Sequence, residues 1–436
     1  MSSKAAIAPL DLDHVAAEVS SRLHRQLGHG VLRRIEAGRG DELLLEWVDG
    51  HDSRWYQWQD AELTELKARD DRKLPLAKLL RDDARLRHLR ILSWRPGKRL
   101  TLLDNRGRKP HVLKGFRPKR FAATLARYEA AEEALQGSGM STPDIIDLDD
   151  EMATLEMVYH EGHRLSLSLE STGLFRTVGQ ALASFQDSAP PDALGCFTTH
   201  DELAVIDKRH ARLKRFSAAP GERCDELRAR LARLQPQLPE PEYGLAHRDL
   251  HDKQIILHGR ELVLLDFDLA SRADRALDPA NFLAHLVLRK LQGVLGATQR
   301  SIDACGERFI EGLASDPDAG FWPRLRFYQA TSFCRLALVY RSRPAWRHLE
   351  GELVTMGHRC LEDLRPIEGR TRLRSWLPGA WRRPSPACLG RHWRRMSHRY
   401  QASAKVTGWQ CVGTSNLASA CTRPALISSS PHATTS

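Results

Sequence analysis

Between Leu245 and Asp268 the chain reads LAHRDLHDKQIILHGRELVLLDFD, and this run constrains the fold more than any other. Two short apolar stretches, QIILH and ELVLLDFD, flank a turn around Gly259-Arg260, the pattern of a hairpin whose strands are buried. In a ladder centred on that turn, paired residue numbers sum to about 520, which sets Gln254 opposite Asp266. Neighbouring strands run about 4.8 Å apart, so an amide oxygen and a carboxylate meet at the open end. Such hard oxygen donors suit Mg²⁺, which takes a few protein ligands and completes its shell with water and phosphate oxygens. Asp249 lies five residues before Gln254, on the loop entering the same end. There it can accept the proton of an attacking hydroxyl.

Around the hairpin the chain changes character. Residues 11–28 read as a helix, and RRIEAGRGDELLLEWVDGHDSRWYQWQD reads as strands with a turn at Asp49-Gly50. A charged segment, DAELTELKARDDRKLPLAKLLRDD, reads as helical. HLRILSWRPG, KRLTLLDN and KPHVLKGFR then give three strand-like runs, followed by the helix RFAATLARYEAAEEALQ and the strand TLEMVYHEG. From about Ser168 the period is helical except at the hairpin. A sheet-rich part followed by a helix-rich part predicts a two-lobed α+β architecture. The expected division is an extension over 1–89 packed on or joined to the N-lobe, a small antiparallel N-lobe over 90–162, and a mostly helical C-lobe over 163–365. A basic tail follows over 366–436.

Charge places that tail apart. The net charge is +11, yet from Thr371 onward there are ten Lys or Arg and no Asp or Glu, so the body is almost neutral. The tail mixes Pro, Gly, Trp and Ser without period, the pattern of a disordered segment. A basic anchor for membrane or RNA is the competing reading, and nucleic acid is not expected as a partner of the body. Eight cysteines without CxxC spacing fit a reducing compartment. The first residues lack the apolar run of a signal peptide, and no segment has the length of a membrane span. A cytoplasmic protein is expected.

The hairpin and its loop resemble the aminoglycoside phosphotransferase and choline kinase superfamily, whose fold is protein-kinase-like. Members usually carry His-Gly-Asp-Leu-His, an Asn five residues past the Asp, and an Ile-Asp-Phe/Trp strand. HRDLHDKQ departs from this twice, with Arg248 for Gly and Gln254 for Asn. The resemblance implies an ATP- and Mg²⁺-dependent kinase acting on a small-molecule hydroxyl. It makes Asp249 the base, Asp266 the principal metal ligand with Gln254, Asp268 a further ligand, and His247 a support of the loop. RADRALDPANFLAHL matches the segment whose Asp, here Asp278, braces that loop, and LEMVYHEG resembles the interlobe hinge, with adenine at Met157–Tyr159.

Phosphates need a cation, and Lys114 in HVLKGFR is placed to hold them if a helix carboxylate orients it. On the following helix Phe121, Leu125, Tyr128 and Leu135 define an inward stripe; Glu132 falls within it and Glu129 at its edge. No GxGxxG precedes Lys114, and DFG and APE are absent, which excludes a typical protein kinase. The turn WRPGKR is the candidate lid over the phosphates. NFLAHLVLRKLQGVLGATQR contains no acid, which disfavours a polycationic aminoglycoside, and choline would want an aromatic cage. A neutral or anionic hydroxyl compound such as a sugar fits better. The competing readings are an aminoglycoside-type phosphotransferase and a catalytically impaired nucleotide-binding pseudokinase.

Overall fold

Five strands rich in Leu, Val and Thr pair into an antiparallel sheet in the spatial order Leu89–Arg95, Arg99–Asp104, His111–Gly115, Thr154–Val158, Ile145–Asp149. The computed structural model describes residues 11–364 apart from 39, 51, 191, 215, 217–220, 314–319 and 363. Lys114 stands in the middle strand, opposite Leu155 on one side and Thr101 on the other. Pro118 opens the next helix, Pro118–Leu135, at a position where its missing N–H costs nothing. That helix buries Phe121, Tyr128, Ala131 and Leu135.

The second lobe is built on the helix Phe321–Arg341, which is buried along most of its length. It packs against Leu277–Leu291, Thr199–Lys214, Glu222–Leu234 and Glu350–Glu362. The hairpin forms as Ile255–His258 and Glu261–Leu264, with Met140–Ser141 and His163–Arg164 at its sides. Ile255 pairs with Leu264 and His258 with Glu261, one step from the expected register. Gln254 is therefore opposite Leu265, whose N–H donates to the Gln254 carbonyl at 2.8 Å. Asp266 lies just past the ladder.

The segment before residue 90 touches both lobes. Asp11 caps the helix Leu12–Leu27, and Val31–Ala37, Leu43–Asp49, Asp52–Gln59 and Glu62–Leu66 follow as an antiparallel meander. Leu12, Val19, Leu43 and Trp47 belong to the same apolar core as the C-lobe helices. The N–H of Ile35 donates to the carbonyl of Ser342 at 2.9 Å. The stretch expected to be a charged helix is instead a strand, the 3-10 turn Pro75–Arg81 and the short helix Asp83–Leu86. Pro75 interrupts any longer helix. Leu74, Leu76 and Leu80 instead pack on Leu100, Leu102 and Leu113 of the five-stranded sheet.

No helix among the described residues is long and apolar enough to cross a membrane. Cys196, Cys224, Cys305, Cys334 and Cys360 are free thiols. The basic tail lies outside the described residues.

Candidate active site

The loop that carries Asp249 is held from behind by one helix. Asp278 accepts the backbone N–H groups of His247 at 2.6 Å and Arg248 at 2.7 Å. Those bonds hold Arg248 at φ +67, the left-handed conformation that Gly reaches without a side-chain penalty. The His247 ring spans the loop and the hairpin: Nε2 donates to the Leu265 carbonyl at 2.8 Å, and Nδ1 accepts from the Asp249 N–H at 3.2 Å. Farther along the same helix, the Asn281 amide donates to the Leu250 carbonyl at 2.9 Å. Arg289 donates to both oxygens of Asp252 at 2.8 and 2.9 Å.

Asp249 is thus fixed with its carboxylate at the edge of a cavity of about 390 Å³. Burial pushes its pKa up and Asp266 adds to the shift, while Arg335 and His247 oppose it. A base with a raised pKa takes a proton more readily than an ordinary carboxylate.

At the open end of the hairpin two carboxylates meet two cations. Lys114 Nζ lies 2.9 Å from Asp266 and 2.6 Å from Asp268. Arg99 Nη1 lies 2.9 Å from Asp266 and 2.9 Å from Asp268. Burial opposes ionisation of Asp266, but Arg99 and Lys114 outweigh it and hold the carboxyl well below its usual range. Asp266 is at φ +70, so the backbone turns sharply there and delivers its carboxylate into the cleft. The Gln254 amide nitrogen is 3.5 Å from Asp266 Oδ2. Two carboxylates and an amide make a hard-oxygen set suited to a divalent ion. Arg99 Nη1 and Lys114 Nζ each bridge the two carboxylates.

One expectation is corrected here. Glu129 and Glu132 are exposed and do not reach Lys114, whose ammonium donates instead to the Tyr128 hydroxyl at 2.7 Å. The buried face of that helix also takes in Thr124, Ala131 and Ala134, which turns its centre away from both glutamates at about 100° per residue. At the end of the hinge strand, the Tyr159 N–H donates to the Pro110 carbonyl at 3.3 Å. The N–H of Val158 is taken by Asp144, and Met157 lies within the ladder between Val112 and Ile145.

Arg99 and Tyr128 were not anticipated as site residues. Tyr128 was visible as an inward position, but nothing in the sequence shows that its hydroxyl replaces a carboxylate. Arg99 follows the turn at Pro96-Gly97, which is tied down by Asp71: its carboxylate accepts from the Gly97 N–H at 2.5 Å and the Trp94 indole at 3.0 Å.

A sequence profile of the phosphotransferase enzyme family matches residues 98–328, more than half of the chain. The chain belongs to that family. As a family member it is a phosphotransferase with the two-lobed, protein-kinase-like fold described above. Among solved structures it is similar to choline kinase LicA from Streptococcus pneumoniae, with 15% identity over 63% of this chain and 93% of that one, at a TM-score of 0.47. A choline/ethanolamine kinase family protein from Mesorhizobium loti gives 15% identity over 67% and 94%, at 0.43. Aminoglycoside phosphotransferase APH(3'')-Id from Streptomyces rimosus gives 20% over 58% and 95%, at 0.43. No curated protein sequence matches the chain.

Proposed function

We propose that this phosphotransferase moves the γ-phosphate of ATP to a hydroxyl of a small molecule, with Asp249 as the base. The observation that supports the reading is the meeting of Lys114, Asp266 and Asp268 beside an Asp249 that opens onto a cavity. In the transfer, the acceptor oxygen bonds to phosphorus as the bond to the departing ADP oxygen breaks. Asp249 receives the acceptor's proton. Lys114 and Arg99 offer positive charge to phosphate oxygens, with Tyr128 orienting the Lys114 ammonium.

Asp266, Asp268 and Gln254 are the residues that would hold a divalent ion, Mg²⁺ by the hardness of the donor set. Bound there, it neutralises phosphate charge as it builds up. Without nucleotide, the site satisfies its own charges through the Lys114 and Arg99 pairs. Ligand binding exchanges these internal pairs for external ones.

Nothing in the site singles out a sugar among alcohols, so the acceptor is left at the level of a small hydroxyl compound. ADP release and ³¹P NMR of the phosphorylated product test the reading. Asp249→Asn should lower kcat by about 10²-fold or more, with ATP affinity little changed. Wild-type turnover in that variant would remove Asp249 from the role.

A further inference from the structure

The cavity at Asp249 is lined by nine Lys or Arg side chains and only two carboxylates, Glu36 and Asp249 itself. This is an unusual concentration in a body whose net charge is close to zero. Part of the charge is compensated. Glu36 takes Arg34, Arg95 and Lys98, while Arg289 is held by Asp252. The rest is not. Arg209, Arg212 and Arg343 have no carboxylate within ion-pair distance among the described residues, and the Arg209 Nε is buried without any hydrogen-bond partner. Lys253 differs from them, because burial and Arg289 push it well below the usual lysine range. Burial, with Arg335 and Arg95 nearby, pushes Arg209 down to about 10, the mark of a cation held among like charges. The two histidines in the wall add no negative charge.

The lining contains neither Lys114 nor the hinge strand, but it does include Arg95 and Lys98 of the turn expected over the phosphates, so the cavity borders the nucleotide side along that turn and at Asp249. An acceptor must approach Asp249 through this space. We propose that the acceptor is an anionic alcohol, one that already bears a phosphate, sulfate or carboxylate group. That group neutralises the free arginines while its hydroxyl faces Asp249. The inference rests on the reading of Asp249 as the base. A polycation such as an aminoglycoside would meet a field of its own sign, and a buried guanidinium left unpaired is costly until an anion supplies its hydrogen bonds.

The test is a calorimetric titration of the full chain, with the nucleotide side filled by AMP-PNP and Mg²⁺, using inorganic pyrophosphate and kanamycin as probes. Pyrophosphate should bind, more weakly as ionic strength rises. Its affinity should fall by about tenfold or more in Arg209→Gln, which removes one desolvated charge-assisted contact. Arg212→Glu, at an exposed rim position that tolerates substitution, should weaken it as well. Kanamycin should not bind. Pyrophosphate binding that is absent, or unchanged in both variants, or kanamycin binding that depends on the cavity, overturns the proposal. Asp249→Asn separates this from the catalytic reading, because it should lower turnover by about 10²-fold or more and leave pyrophosphate bound at least as tightly. A protein that binds pyrophosphate through Arg209 and Arg212 but phosphorylates nothing would refute the kinase reading alone. Matched acceptors supply the second arm: glucose 6-phosphate and glucuronate against glucose tell phosphate from carboxylate recognition by competition with pyrophosphate. Glucose competing as well as either would count against an anionic acceptor.

Discussion

A carboxylate that is to accept a proton must be ionised first, and burial makes that harder. Asp249 carries both demands, with burial raising its pKa and Arg335 drawing it back. Activity should rise with pH through a limb that lies above the ordinary carboxylate range. Arg335→Met, which removes the opposing charge, should move that limb further up, as a pH profile of kcat/KM can show. No movement, or movement downward, would mean another group sets it. Gln254 poses a different question, since its amide reaches about 1.5 Å farther from the backbone than that of Asn. Gln254→Ala should raise the Mg²⁺ or Mn²⁺ concentration needed for half activity, with excess metal partly restoring the rate. Gln254→Asn should be impaired too, because the shorter arm stops short. Arg99 acts in the opposite sense. Its partly exposed pair with Asp266 and Asp268 is worth on the order of 1 kcal/mol. Arg99→Ala should therefore lower the half-saturating metal concentration by roughly fivefold, measured by metal-dependent thermal shift. Asp249, Gln254 and Asp266 were brought together by spacing along the hairpin, and Asp278 by the family resemblance. Arg99 and Tyr128 were not legible, because their roles depend on where a turn and a helix face come to lie in three dimensions.

At the scale of elements, the helix Leu277–Leu291 does what a motif search overlooks. Asp278, Asn281, His285 and Arg289 recur at spacings of three and four and share one face, all of them buried. Three of them bond to the loop that carries Asp249, and His285 stacks on His251 with ring centroids 4.5 Å apart. A polar stripe on a helix that is otherwise apolar was readable in LDPANFLAHLVLRKL, but only Asp278 was taken from it. Burial alone would raise Asp252, yet Arg289 lowers it to about 2 from an ordinary 3.8. Because the folded value is depressed, the pair contributes roughly 2 kcal/mol above the ordinary pKa. That contribution is lost as pH falls through the folded value. Arg289→Met strands the carboxylate and should destabilise the fold by about 3–5 kcal/mol, measured by urea denaturation at neutral pH. A loss below 1 kcal/mol would show that the pair is dispensable. The misplacement of Glu129 and Glu132 has a related cause. Small residues such as Ala131 and Ala134 bury well but carry little weight in an apolar stripe drawn from large side chains.

Across the whole molecule, the two terminal regions should behave in opposite ways. The N-terminal segment looked like an addition to the N-lobe, since its strands could be recognised but not what they pack against. In the structure it contributes Trp47 and Leu43 to the core shared with the C-lobe. It also lays Leu76 so close to Gly115 that a Cβ there would come within 2.6 Å of it. Its Glu36 ties Arg95 and Lys98 of the Pro96-Gly97 turn to the cavity wall. A segment bonded to both lobes and to the cavity has no core of its own to retain. It should therefore unfold with the body, in one calorimetric transition rather than ahead of it. Gly115→Ala should lower the melting temperature of that single transition, because the crowded Leu76 must shift, a cost of about 1–3 kcal/mol. Ending the chain after Leu364 should leave the same transition and the activity unchanged, since the tail carries the excess charge but no apolar period. A separate early transition assigned to residues before 90, seen as a second endotherm that deletion of those residues removes, would refute the shared core. It would return the extension to the status of an independent domain.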